Sequence, residues 1–273
     1  MGIPRKHHTK PRKVDEDMEG LPLLGGPARK KSTLLTVCPY ILGNELCERL
    51  AYYGLATNLV TYITQVMGGD PAFAAILVAL FEGVCYTTPI IGALLADSLW
   101  GRYKTIFVFS TIYLLGILML TASSMIPDAD EDADKANPLQ FGVLFGSLAV
   151  ISLGTGGIKP NVSAFGADQF DETDPQDSKE KQSFFNWFYL AINVGSLIAG
   201  TVIVYIQDSV SWTIGFAVPG CAMALAIVLF WAGSPGYRHV LPTESPMARV
   251  AKVVWAALKN RYDMDEDACD RTM

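Results

Sequence analysis

Six long apolar stretches constrain the fold of this chain most strongly, because each is long enough to cross a lipid bilayer. Their approximate limits are 36–64, 72–96, 104–126, 139–160, 184–206 and 212–232. A helix of about 20 apolar residues crosses a hydrocarbon core ~30 Å thick. Lipid offers the backbone no hydrogen-bond partners, so such stretches are expected to be helical. The sequence therefore predicts an all-α membrane protein with six transmembrane helices.

The composition argues against several other classes of protein. The net charge is −6, from 21 basic and 27 acidic residues, so no basic surface indicates a nucleic-acid partner. The five cysteines show no C-x-x-C spacing and the three histidines lie outside the apolar stretches, which predicts neither a disulfide framework nor a metal site. No Ser/His/Asp or H-E-x-x-H pattern indicates an enzyme, and no cofactor is expected.

The placement of lysine and arginine predicts the orientation in the membrane. Of the 21 basic residues, most lie in the N-terminal tail, the second and fourth loops and the C-terminal tail, which predicts that both termini are cytoplasmic. The predicted organisation is a disordered tail over 1–33, a six-span bundle over 34–232 and a cytoplasmic linker over 233–273, with an amphipathic helix at 245–262. A dileucine pattern near residue 23 leaves the plasma and vacuolar membranes as alternatives.

The first apolar stretch carries three charged residues, Glu45, Glu48 and Arg49. With Tyr52 they follow the i, i+3, i+4, i+7 spacing of one helix face. Charge inside a membrane is costly and usually faces a partner or a water-filled cavity. Glu45 and Arg49 are expected to pair along the helix, which leaves Glu48 to find another cation or a proton. A carboxylate that is paired with a cation only part of the time can carry a proton.

Lys159, at the end of the fourth stretch, is the candidate cation for Glu48. It follows three glycines, which permit close helix approach, and precedes Pro160, which ends or kinks a helix. A static ion pair between the first and fourth stretches is one alternative. A lysine that extends to the membrane surface is another.

Three further polar residues lie in the spans. Glu82 precedes Tyr86 by one helical turn, so both lie on one face of the second span, where Glu82 either lines a cavity or sits in the boundary region. Asn193 in the fifth stretch either bonds a neighbouring helix or contacts a ligand.

The second loop joins an acid, a glycine turn and a basic pair: Asp97, Gly101, Arg102 and Lys104. Such a loop can latch helix ends on the cytoplasmic side. The alternative is plain anchoring by positive charge.

Three segments together resemble a known family of carriers. Residues 45–54 read E-L-C-E-R-L-A-Y-Y-G, which resembles the E-x-x-E-R-x-x-Y-Y-G motif of the proton-dependent oligopeptide transporters. Residues 156–170 resemble the second signature of that family and residues 184–196 its span-five signature. The family belongs to the major facilitator superfamily and includes the plant and algal peptide and nitrate transporters.

The resemblance implies the N-terminal bundle of a major-facilitator fold and a role for each matching residue. It assigns proton coupling to Glu45, Glu48 and Arg49, and the expected pairing of Glu48 with Lys159 adds Lys159 to this group. It assigns substrate binding to Arg49, Tyr53, Tyr86, Lys159 and Asn193. It assigns a gating loop to Asp97, Gly101, Arg102 and Lys104.

The expected function is proton-coupled symport of di- and tripeptides by alternating access, with small peptides, protons and membrane lipid as partners. The intact Tyr52–Tyr53 pair favours the peptide branch, and a carrier of nitrate, a hormone or another small solute is the alternative. The family has twelve spans in two six-helix bundles, so a second bundle is expected for transport. A third hypothesis is a truncated fragment or a half that modulates full-length partners.

Overall fold

The computed structural model describes residues 32–126 and 137–240, together with 250, 253 and 255–257. Within these residues all regular structure is helical, which confirms the predicted all-α class. We number the six principal helices α1 to α6. They are α1 (Cys38–Ala56), α2 (Pro71–Trp100), α3 (Arg102–Ser123), α4 (Pro138–Ala167), α5 (Pro175–Ser209) and α6 (Trp212–Gly236).

Five of these helices, α2 to α6, are long and apolar enough to cross a membrane by length and composition. The exception is α1, which has 19 residues and carries Glu45, Glu48 and Arg49. It is followed by a short helical turn at Leu59–Thr61 and a π-helical turn at Tyr62–Val66. Charge therefore sets α1 apart from the other five helices, and its membrane crossing stays a prediction.

Three helices begin with the same local arrangement, an Asp or Asn cap followed by proline. The pairs are Asp70–Pro71 in α2, Asn137–Pro138 in α4 and Asp174–Pro175 in α5. Each cap side chain accepts a hydrogen bond from a backbone N–H of the first turn, at 2.9 to 3.0 Å. Proline suits the first helical position, because its fixed φ is helical and its missing N–H would lack a partner there.

The helices pack in a definite pattern. α1 lies against α5 and α6, α3 lies against α4 and α6, and α2 contacts mainly α4. The core between them is aromatic and aliphatic, with Tyr62, Tyr113, Phe184, Phe216 and Phe230 almost fully buried. In the most apolar 18-residue segment of α4, 56% of the residues are buried. The corresponding fraction is 28% in α2 and 22% in α5. α2 and α5 therefore present much of their apolar surface to the outside of this bundle.

A close helix crossing joins α2 to α4. A Cβ atom built on Gly156 would stand 2.6 Å from the Cβ of Thr88, so only glycine permits this approach. The Thr88 hydroxyl donates a hydrogen bond to the Ser152 carbonyl at 3.0 Å. The predicted use of glycine for close helix approach is confirmed here.

α4 is interrupted at Lys159–Pro160, between its segments Pro138–Ile158 and Asn161–Ala167. This confirms the predicted effect of Pro160. The Asn161 side chain donates to the Gly157 carbonyl at 2.8 Å and to the Gly92 carbonyl of α2 at 3.2 Å. The hydrogen bond to Gly92 therefore holds the interrupted part of α4, which contains Lys159, against α2.

Parts of the predicted organisation lie outside the described residues. These are residues 1–31 of the tail and most of the amphipathic helix at 245–262. Within that helix, Val250, Val253 and Trp255 are helical and exposed. The predicted domain limits stay predictions.

Candidate functional site

The charged face of α1 points into the bundle. Glu45 and Arg49 are each 5% exposed and Glu48 is fully buried. The spacing of three and four residues along the helix places these side chains on neighbouring positions of one face. A buried charge is costly unless it is paired, so the contacts among these groups decide whether the cluster can exist.

Arg49 is shared between the two carboxylates. Its Nε and Nη2 atoms both lie 2.5 Å from the same oxygen, Oε2 of Glu48. Its Nε atom lies 3.3 Å from Oε1 of Glu45, which confirms the predicted pair along the helix. The closer partner is nevertheless Glu48. The second oxygen of Glu48, Oε1, is buried and has no hydrogen-bond partner among the described residues.

Lys159 does not form the predicted pair with Glu48 in this structure. Its Nζ atom lies 3.9 Å from the centre of the Tyr86 ring and 4.9 Å from the centre of the Tyr52 ring. The Nζ atom is buried and has no hydrogen-bond partner in the described part of the chain. Arg49 is the cation that contacts Glu48, and the Lys159 ammonium lies over two aromatic rings instead. The ammonium of Lys159 is held by aromatic faces and is free to accept an anion.

Tyr52 lies between the two cations. The sequence predicted its place on the charged face of α1 but not its contact with Lys159. Its ring centre is 5.4 Å from the Arg49 guanidinium carbon and 4.9 Å from Lys159 Nζ. It is packed by Phe81, with ring centres 6.5 Å apart, and by Tyr53, at 5.4 Å. The signal that could have identified it is the spacing of three residues from Arg49.

Counted with all four groups ionised, the cluster carries no net charge. Two carboxylates, Glu45 and Glu48, are matched by two cations, Arg49 and Lys159. In a low-dielectric interior this balance matters, because each unmatched charge would cost several kcal/mol. A change of one unit, by a proton or by a bound anion, therefore alters the stability of the whole group.

The other predicted substrate residues differ in how close they lie to the charged cluster. The structure brings Tyr86 to Lys159, although 68% of Tyr86 is exposed at the open face of α2. Tyr53 is half-buried beside Tyr52. Asn193 is exposed and donates a hydrogen bond to the Tyr189 carbonyl of its own helix at 2.7 Å. Among the described residues, then, Asn193 contacts its own helix and not the charged cluster.

Glu82 lies one turn before Tyr86 and is also exposed on α2. No described residue forms an ion pair with it under 4.0 Å. The two alternatives for this carboxylate, a cavity wall or a boundary position, stay open.

The predicted gating loop is held by one arginine. Arg102 Nη1 lies 2.5 Å from Asp168 Oδ2, and its Nη2 lies 3.6 Å from Asp97 Oδ1. Gly101 has φ of +78°, a backbone conformation that favours glycine. Lys104 is exposed and has no acidic partner in the described part of the chain. Asp168, at the end of α4, is the partner that sequence reasoning missed.

No group of three or more His, Cys, Asp or Glu side chains that could hold a metal is found among the described residues. The four described cysteines, Cys38, Cys47, Cys85 and Cys221, are free thiols.

The helices and the buried charges define a class, the integral membrane proteins that cross the bilayer several times. The sequence profile of the POT family matches residues 103–271. The chain is 47% identical over 251 residues to Protein NRT1/ PTR FAMILY 8.5 of Arabidopsis thaliana. It is 49% identical over 239 residues to Protein NRT1/ PTR FAMILY 8.1 of the same plant. This chain belongs to the POT family of transporters.

Solved structures of the family share the fold. The POT family transporter PepTSo matches with a TM-score of 0.65 at 31% identity, over 76% of this chain and 39% of that one. An auto-inhibited POT family peptide transporter also matches with a TM-score of 0.65, at 33% identity, over 76% of this chain and 38% of that one. The match to NRT1/ PTR FAMILY 8.5 covers 88% of this chain but 42% of that protein, and the match to family 8.1 covers 85% and 42%. The chain thus spans about two fifths of the length of the curated relatives it matches.

Proposed function

We propose that this chain is the N-terminal six-helix bundle of a proton-coupled symporter of di- and tripeptides. The observation that carries the proposal is the buried cluster in which one guanidinium contacts two carboxylates, while the Lys159 ammonium beside it has no acidic partner among the described residues. This arrangement offers one group that can take a proton and one that can take the carboxylate of a peptide.

Proton coupling follows from the charge balance. A proton on Glu48 removes one negative charge from the four-charge cluster and leaves a net charge of +1. An incoming peptide carboxylate restores the balance by binding Lys159 and the released side of Arg49. Each event favours the other, because coupling between two bound ligands is reciprocal. Glu45 keeps Arg49 in place during the exchange.

The remaining predicted residues complete the substrate site. Tyr53, beside the cluster, contacts the peptide carboxylate, and Tyr86 and Asn193 contact the peptide backbone. Tyr86 supports this assignment because its exposed ring already holds Lys159 at the open face of α2. A second six-helix bundle covers α2 and α5, whose apolar faces are the least buried of the candidate spans. Transport then proceeds by alternating access between the two bundles.

The loop of Asp97, Gly101, Arg102 and Lys104 acts as the gate on the cytoplasmic side. Support comes from the ion pairs of Arg102 with Asp97 and Asp168, which tie the ends of α2, α3 and α4 together. We place both termini in the cytoplasm, on the distribution of lysine and arginine. The membrane is the plasma or the vacuolar membrane.

Two other functions are outcomes of the same experiment. A carrier of nitrate, a hormone or another small solute would use the same proton cluster with a different ligand. A fragment that modulates full-length partners would not transport by itself.

The test is uptake of a labelled dipeptide by cells that lack their own peptide carriers, at acid and at neutral outside pH. The chain is expressed alone and with a second six-span half from a relative, and each arrangement is repeated with Glu48→Gln. Acid-stimulated uptake that needs the second half and is lost in Glu48→Gln supports the proposal. Uptake by the chain alone would replace it with a self-associating half-carrier. No dipeptide uptake with the protein shown at the surface contradicts the peptide assignment, and a panel of other solutes then follows.

A further inference from the structure

A cavity of about 460 Å³ lies beside the start of α3, away from the charged cluster of α1. Its polar wall consists of Arg102 and Lys104 of α3, Asp168 after α4 and His239 after α6. Its apolar wall includes Trp100. This cavity therefore combines charged and apolar walls in one space.

A second, more open cavity of about 510 Å³ continues from the first along the side of the bundle. The two cavities share Trp100, Tyr103 and Lys104. From these residues the second cavity runs past Phe107 of α3 to Trp231 of α6. Together they form one groove, polar at the start of α3 and apolar along its side; we call it the α3–α6 groove.

The charges in the polar end are not equally engaged. Arg102 is bound by Asp168 at 2.5 Å and faces Asp97 at 3.6 Å. The His239 ring packs edge-on against Tyr103, with ring centres 5.0 Å apart. Lys104 has no acidic partner in the described part of the chain, and it lies in the wall of both cavities. A cation with no acidic partner among the described residues therefore lies where the polar part of the groove meets the apolar part.

Two exposed tryptophans lie at this junction. Trp231 is 64% exposed and Trp100 is 44% exposed, and both line the apolar part of the groove. Tryptophan is enriched at membrane–water interfaces, where an apolar ring can sit beside a polar group. Basic residues next to a membrane helix attract anionic lipid headgroups.

We propose that the α3–α6 groove binds one anionic phospholipid. Its phosphate lies on the Lys104 ammonium, and one acyl chain follows α3 past Phe107 to Trp231. The shape supports a lipid over a free anion, since a free phosphate would leave the apolar half of the groove empty. The proposal does not depend on the transported solute.

The test measures lipid retained on the purified chain by native mass spectrometry in a phosphate-free detergent. Three probes are compared: phosphatidylglycerol, diacylglycerol with the same acyl chains, and inorganic phosphate. Diacylglycerol lacks the phosphate, and inorganic phosphate lacks the chains. Each probe is titrated against the wild-type chain and against Lys104→Gln and Trp231→Leu.

Two variants serve as matched controls. Lys181→Gln removes a half-buried lysine of α5 that already pairs with Glu172 at 2.6 Å. Trp187→Leu removes a tryptophan of α5 that is 55% exposed and does not line the groove. Circular dichroism of every variant separates loss of the site from loss of the fold.

The expected result is retention of one phosphatidylglycerol by the wild-type chain and by both controls. Lys104→Gln lowers the apparent affinity on the order of tenfold, as expected for one charge-assisted hydrogen bond. Trp231→Leu lowers it as well, and neither diacylglycerol nor inorganic phosphate is retained. Equal retention by Lys104→Gln and wild type, or of diacylglycerol and phosphatidylglycerol, would overturn the proposal. Retention of inorganic phosphate that Trp231→Leu leaves unchanged would show an anion site and not a lipid site.

Discussion

The Nζ atom of Lys159 lies 3.9 Å from the centre of the Tyr86 ring, although the two residues belong to different helices. A lysine beside three buried charges would be expected to seek a carboxylate. Here Arg49 contacts both carboxylates, and the Lys159 ammonium lies over the rings of Tyr52 and Tyr86. A desolvated cation on an aromatic face gains about 2 kcal/mol, less than a buried ion pair of good geometry. The ammonium is therefore held in place yet open to a new anion.

The first prediction concerns the ring of Tyr86. Tyr86→Leu removes the aromatic face, so Lys159 loses its position and dipeptide affinity falls on the order of tenfold. Tyr86→Phe keeps the face and retains most of that affinity. The measurement is the concentration dependence of dipeptide uptake by the chain with a second six-span half. Tyr205→Leu is the control, since Tyr205 is 65% exposed on α5. Equal losses in Tyr86→Phe and Tyr86→Leu would show that the hydroxyl, not the ring face, matters.

The second prediction concerns the proton. Glu48→Gln fixes position 48 in a neutral form, so uptake in the two-half arrangement loses its stimulation by acid outside pH. Binding of the peptide is retained, because a neutral amide at this position leaves the cluster with the net charge of the protonated state. Uptake is measured across outside pH at fixed membrane potential.

The matched control for this prediction is Glu172→Gln. Glu172 is exposed, and the hydrogen bond from Lys181 holds the pKa of its carboxyl below the ordinary value. Glu172 therefore stays ionised over the tested range, and its removal leaves the pH profile unchanged. Acid stimulation that survives in Glu48→Gln would move the proton site elsewhere, with Glu45 the next carboxylate to test.

The third prediction concerns stability. Arg49→Gln leaves Glu45 and Glu48 buried without their shared cation, which costs about 3–5 kcal/mol for a broken buried ion pair. The unfolding temperature of the purified chain in detergent should fall clearly. Lys181→Gln, which breaks an exposed pair, should cost less than about 1 kcal/mol.

A double variant tests the cause of that loss. Glu48→Gln combined with Arg49→Gln removes one buried negative charge together with the cation. The double variant should be more stable than Arg49→Gln alone, which is the non-additivity expected of residues in contact. Strict additivity of the two changes would mean that the Glu48–Arg49 contact contributes little.

The sequence predicted the charged face of α1 well, because helical periodicity alone places residues 45, 48, 49 and 52 together. It could not predict which carboxylate Arg49 prefers. Periodicity predicts on which face of the helix a side chain starts, but the long Arg49 side chain can reach either Glu45 or Glu48. The predicted Lys159–Glu48 pair was wrong for the same reason, because periodicity does not show which side chains meet between helices.

Contacts between distant segments were harder to predict. Arg102 and Asp168 are 66 residues apart, one at the start of α3 and the other just after α4. Nothing in their spacing shows that the start of α3 and the end of α4 meet, since this depends on packing between the helices.

The first span shows the reverse case. Its position was predicted from apolar residues, yet its three charges keep it out of the helices that qualify as spans by composition.

The last prediction concerns the crossing that brings α2 and α4 together. Gly156→Ala adds a methyl group 2.6 Å from the Thr88 Cβ, where no flexible side-chain end can yield. Overpacking of this kind costs about 1–3 kcal/mol. It should also push α2 outward, carry Tyr86 away from Lys159 and reduce dipeptide uptake. Thermal unfolding and uptake are measured on the same variant.

Gly142→Ala is the matched control, because Gly142 lies in the same helix and an added Cβ meets nothing within 4 Å. It should be neutral or slightly stabilising, since alanine favours a helix over glycine by about 1 kcal/mol. A Gly156→Ala variant as stable and as active as Gly142→Ala would contradict the crossing as described. Loss of uptake without loss of stability would instead mean that α2 moves and that the bundle accommodates the movement.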